Sequence, residues 1–121
     1  MKTSYSQIPA YVTKDGSLIR ELMHPSVHGN MQISLAEAII PAGATTHLHR
    51  HPQSEELYHI KAGMGIMTLG AERFPVQPGD TVAIAPGTPH QIHNHHSEQL
   101  EILCCCVPPY SHEDTELLDV V

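Results

Sequence analysis

Two histidines spaced by one residue, His49-Arg50-His51, offer the clearest chemistry in this chain. On a strand, residues two apart leave from the same face, so both imidazoles can present nitrogen to one metal ion. Pro52 ends that strand. After a four-residue turn, Glu56 opens the next apolar run and can add a carboxylate oxygen from an antiparallel neighbour, with Glu55 beside it as a rival. A fourth ligand must come from elsewhere. His90 is placed for it, because the turn Pro86-Gly87-Thr88-Pro89 returns the chain to the same end.

The elements that must position these groups read as short strands. Gln32–Ile40, Leu57–Ala62, Gly65–Leu69, Arg73–Val76, Thr81–Ala85 and Leu100–Val107 are apolar or alternating runs, each stopped by Gly or Pro. Turn signals about every ten residues argue an all-β sandwich or barrel. At 121 residues the chain is one domain, 1–121, with residues 1–15 as an N-terminal arm that covers an edge strand and 111–121 as a C-terminal tail. Ser111, with Asp114 three residues on, makes that tail a short helix or a docked segment.

Bulk composition excludes several classes. Hydrophobic residues make up 40% and charged residues 16%, an ordinary globular balance. The formal charge of -7, with no basic run, speaks against nucleic acid as a partner. The first fifteen residues are polar and broken by Pro9, and the longest apolar stretch is Ile102–Val107, so neither a signal peptide nor a membrane span is expected. The expectation is a soluble cytoplasmic protein. Its three cysteines, Cys104 to Cys106, are adjacent and cannot frame disulfides. Eleven histidines are far more than such a domain needs for packing alone.

These residues resemble the cupins. Gly43, five residues, His49-x-His51, four residues, Glu56, six residues and Gly63 match the first cupin motif, and Gly79, Gly87, His90 and Asn94 match the second. One departure is Ala85, where the pattern has proline; Pro86 follows it. The motifs span residues 43–94. The resemblance implies a jelly-roll-like β-barrel with six strands per layer. It also implies one divalent transition metal per chain, held by His49, His51, Glu56 and His90, with Glu55 outside. Manganese or iron is favoured; nickel, zinc and cobalt are possible. Two octahedral positions would stay open for a substrate or dioxygen.

Strand parity then sorts the remaining candidates. Tyr58 shares the parity of Glu56, and His47 shares the face of His49 at the barrel mouth. With Glu101 in solvent, Leu100, Ile102, Cys104 and Cys106 turn inward. Tyr58, His47 and Cys104 are therefore the pocket candidates for catalysis. His59 and Arg50 should point outward, His93, His95 and His96 should lie exposed in a polar turn, and Ile60, Met64 and Met67 should fill the core. No nucleophile–base triad, phosphate loop or CxxC pair appears. The expected function is a metal-dependent enzyme acting on a small oxygen-bearing metabolite, of dioxygenase or isomerase/decarboxylase type. The alternatives are a non-catalytic small-ligand binder and a structural metal site. No positive side chain is evident inside, which makes the metal the anchor for an anion. A homodimer is expected through the N-terminal arm.

Overall fold

The computed structural model describes residues 1–119. Its described strands are β1 (Tyr11–Val12), β2 (Leu18–Met23), β3 (Ser34–Ile40), β4 (His49–Arg50), β5 (Glu55–Ala62), β6 (Gly65–Leu69), β7 (Glu72–Val76), β8 (Thr81–Ile84), β9 (His90–His93), β10 (Leu100–Val107) and β11 (Glu116–Leu117). One helical turn, α1 (Pro25–His28), interrupts them. All pairings are antiparallel, in a six-stranded sheet ordered β1-β2-β3-β10-β5-β8 and a five-stranded sheet ordered β11-β4-β9-β6-β7. The all-β jelly-roll reading holds, with layers of six and five strands rather than six each.

Alternation drives the packing. Along β10 buried residues alternate with partly exposed ones, so Leu100, Ile102, Cys104 and Cys106 face the core. The first three meet Ile60, Met67, Ile84 and Ile92 from both sheets. Each large apolar side chain buried this way contributes about 2 kcal/mol. Met64 departs from the expected core set: it follows Gly63 in the β5–β6 turn and is exposed.

Gly63 itself has φ +83, and a Cβ there would lie 2.5 Å from the Gln99 carbonyl oxygen, so the turn admits only glycine. Asn94 is wholly buried and ties the neighbouring turns together. Its Nδ2 donates to the carbonyls of Ile40 and Glu98, and its Oδ1 accepts from the His96 N–H.

Both chain ends fold back onto the barrel. In the expected arm, β1 pairs with β2 of its own chain and covers that edge. The β2 edge therefore has an intramolecular partner, and β1 itself stands at the end of the six-stranded sheet. At the other end the tail forms no helix among the described residues. Ser111 Oγ accepts the Asp114 N–H as a cap would, but β11 then pairs with β4 and docks the segment.

Candidate metal centre

Pairing register brings the four candidate ligands together. His49 on β4 lies directly opposite His90 on β9, and their rings are 4.2 Å apart between centroids. His51 follows β4, with its ring 5.1 Å from that of His49 and 5.3 Å from that of His90. One nitrogen from each of the three lies within 4.8 Å of the others. Glu56, the second residue of β5, points inward from the opposite sheet, and its Oε1 is 3.3 Å from His51 Nε2 and 3.4 Å from His90 Nε2. It touches two of the three imidazoles and not His49. Glu55 is exposed, as its parity requires.

The outer nitrogens decide which tautomer each ring adopts. His49 Nδ1 donates to the His47 carbonyl at 2.8 Å, and His90 Nδ1 donates to the Thr88 carbonyl at 2.9 Å. His51 Nδ1 faces the Asp114 carbonyl at 3.3 Å and Thr115 Oγ1 at 3.2 Å. Carbonyls only accept, so the proton sits on Nδ1 and the neutral ring turns a bare Nε2 lone pair inward. Lone pairs aimed at a carboxylate oxygen repel unless a cation lies between them. Accordingly, His90 Nε2 and Glu56 Oε1 are both buried with no hydrogen-bond partner in the chain. A divalent cation fits this donor set.

Without an ion, protonated rings would take the cation's place beside the carboxylate. Burial works to raise the Glu56 carboxyl, but His51 and His90 outweigh it and hold the group at about 2. Burial and the neighbouring His90 lower His49, keeping it neutral. Burial pushes His51 down as well, yet Glu56 beside it prevails, and His51 is raised above its ordinary 6.5. Glu56 Oε2 accepts from Cys106 Sγ at 3.2 Å, its cross-strand partner. Burial raises that thiol, so it stays protonated and donates.

A cavity of about 480 Å³, open mouth included, reaches this cluster and is lined by His49, His51 and Glu56. Tyr58 and Cys104 also line it, as parity predicts. Burial raises both far above their ordinary values, which leaves a neutral phenol and a neutral thiol. His47 does not belong here. Residues 46–48 precede β4 and belong to no strand, so strand parity with His49 does not apply; the ring turns outward, exposed, and meets Asp119 at 3.2 Å. His93 is also displaced from expectation, forming the last residue of β9 rather than part of a turn.

Sequence reasoning missed Asp15. It is nine-tenths buried and its Oδ2 stands 3.7 Å from His49 Nε2. The signal was the Asp15-Gly16-Ser17 turn, where Gly16 has φ +93 and the aspartate Oδ1 accepts from Ser17 N–H. Residues Thr115 and Tyr110 near His51 were missed as well, since they arrive from the docked tail.

Residues 36–106, more than half of the chain, match the cupin domain, and the chain belongs to that family. It is 56% identical over 119 residues, 98% of this chain and 95% of the other, to an uncharacterized protein of Methanocaldococcus jannaschii. Among solved structures it is similar to the polyketide cyclase RemF of Streptomyces resistomycificus, with TM-score 0.83, 16% identity and coverage of 100% and 87%. A Streptomyces nucleoside dehydratase is also similar, with TM-score 0.78, 15% identity and coverage of 98% and 90%. At such identities the likeness concerns the fold. No described helix is long and apolar enough to cross a membrane.

Proposed function

We propose that this chain is a metal-dependent cupin enzyme acting on a small oxygen-bearing metabolite. His49, His51, Glu56 and His90 are its ligands for one divalent transition metal, with manganese or iron favoured. One observation carries the reading: Glu56 Oε1 and His90 Nε2 are buried, unpartnered and aimed at the same point as two further imidazoles. All four donors are nitrogen or carboxylate oxygen, the type that manganese and iron accept. The thiols stay protonated and outside the donor set.

A bound divalent ion supplies Lewis acidity, or a docking point for dioxygen, at positions the protein leaves open. The chain's own residues do the rest. Backbone carbonyls hold the imidazoles in their donor tautomers, and the Cys106 thiol fixes the far oxygen of Glu56. Tyr58 and Cys104, held neutral, offer a hydrogen to a ligand rather than remove one. The cavity gives a small molecule access to the cluster, which favours reactivity over a closed structural site. The likeness to a cyclase and a dehydratase supports an enzyme on this scaffold, without choosing the reaction.

The test is metal content. Wild-type protein dialysed against manganese or iron should retain about one ion per chain, and His51→Ala should retain less than about a tenth of that, with circular dichroism unchanged. Equal loading of the two proteins would sink the assignment.

A further inference from the structure

Beyond the metal-binding residues, the charge of the cavity wall selects what can enter. No lysine or arginine among the described residues lines the cavity, whereas two carboxylates besides Glu56 do, Asp15 and Glu21. Each has one oxygen engaged and one left over. Asp15 Oδ1 accepts from the Ser17 N–H at 2.9 Å and from Ser17 Oγ at 2.6 Å. Its Oδ2 faces His49 Nε2 at 3.7 Å, too far for a hydrogen bond. Glu21 points inward from β2 opposite Ala36, and its Oε1 accepts from the Tyr11 hydroxyl at 2.8 Å. Glu21 Oε2 is buried and has no hydrogen-bond partner in the chain. The metal accounts for the unpartnered oxygen of Glu56. It does not account for that of Glu21, which sits on β2, across from the sheet that carries His49 and His90, and takes no part in the imidazole cluster.

A buried carboxylate oxygen without a donor is costly, so this oxygen calls for an O–H or N–H from a ligand. The surrounding wall is rich in groups that adapt to hydroxyls: Tyr11, Ser17, Thr115, and the Thr13–Tyr110 pair at 2.9 Å. The charge balance excludes anions. Three carboxylates outweigh the two charges of a divalent ion, and an incoming carboxylate or phosphate would meet Asp15 and Glu21 in a low-dielectric cavity with no lysine or arginine among its lining residues. The wall charge thus weighs against the anion that a metal alone would anchor.

We infer that the cavity takes a small uncharged molecule bearing hydroxyl groups, one of which donates to Glu21 Oε2, and that Asp15 and Glu21 reject anionic ligands. The inference rests on the metal reading and names the ligand class of the same site. A neutral hydroxyl compound fills the unpartnered oxygen and adds no charge beside the other carboxylates.

The experiment uses full-length wild type, Glu21→Gln and Asp15→Asn, each loaded with manganese. Metal stoichiometry and thermal midpoint come first, then calorimetric titration with oxalate, a dianion, and with dihydroxyacetone, a neutral hydroxy-ketone. Glu21→Gln should bind oxalate at least fivefold tighter and dihydroxyacetone at least fivefold weaker than wild type. Asp15→Asn should tighten oxalate in the same way. A purely structural role would move both ligands in one direction, and that outcome overturns the inference. Oxalate affinity unchanged by both substitutions also overturns it while leaving the metal centre standing. A wild-type protein that loads no ion removes the metal centre, and this reading with it.

Discussion

Among the histidine pairs in this chain that are spaced by one residue, His49-x-His51 enters a candidate metal centre and His93-x-His95 does not. The interior pair is buried, and its outer nitrogens face backbone carbonyls. Its inner nitrogens converge with His90 from another strand. The second pair begins on the outward side of β9, because His90 and Ile92 take the inward positions. There His93 Nδ1 meets Thr45 Oγ1 at 2.6 Å, and the exposed His95 stacks on His93 and meets His96 edge-on. Spacing puts two rings on one side of a strand. Bracing, burial and donors from other strands are what turn that into a site.

The contrast can be broken most directly by deleting one ring from each region. His90→Ala should weaken manganese binding by more than about a hundredfold, while His95→Ala leaves it within about twofold, read by competition with a chelator. Comparable losses in the two variants would mean the interior cluster is not the site. A finer cut removes a brace and spares the ligand. Thr115→Val leaves His51 in place but takes one of its two Nδ1 contacts, and should cost about tenfold in metal affinity.

Acidity sharpens the contrast further. His51 is raised above 6.5 by Glu56, so below that raised value a proton competes with the metal. Apparent affinity should fall by roughly tenfold per pH unit there and level off above it. For the metal-free protein the signs run in two directions. The His51–Glu56 interaction stabilises fully below pH 6.5 and fades as pH rises through the raised His51 value. From the Glu56 side it is present above pH 4.5 and is lost as pH falls towards about 2. Metal-free thermal midpoints that show no such plateau between pH 4.5 and 6.5 would contradict the pairing. The exposed histidines should add nothing to the pH dependence of metal uptake.

Much of the barrel was legible because alternation and Gly/Pro breaks are local. β10 and the core face of β5 followed from parity alone, and the Glu56 position from its spacing to Gly63. β2 was not read, because Leu18–Met23 carries Arg20 and Glu21 in its middle; both find partners only in the folded chain, Arg20 beside Glu37 and Glu21 under Tyr11. β9 was hidden by its polar composition, since His90 is buried for reasons that belong to the site. Asp15 and Thr115 were invisible to spacing. They stand 34 and 64 residues from the histidines they approach, a proximity created only when the two ends fold back. His47 failed for the opposite reason, because parity was carried past the start of β4 to a residue outside any strand.

That folding-back of the ends bears on how the protein is made. The four donor residues are all synthesised by position 90, but Thr115 beside His51 comes later, and β4 gains its partner β11 only at residues 116–117. A chain still emerging from the ribosome therefore holds His51 without its brace, whereas the His47 and Thr88 carbonyls that brace His49 and His90 are already made. On the proposed metal reading, the site gains its last support only with residues 114–117.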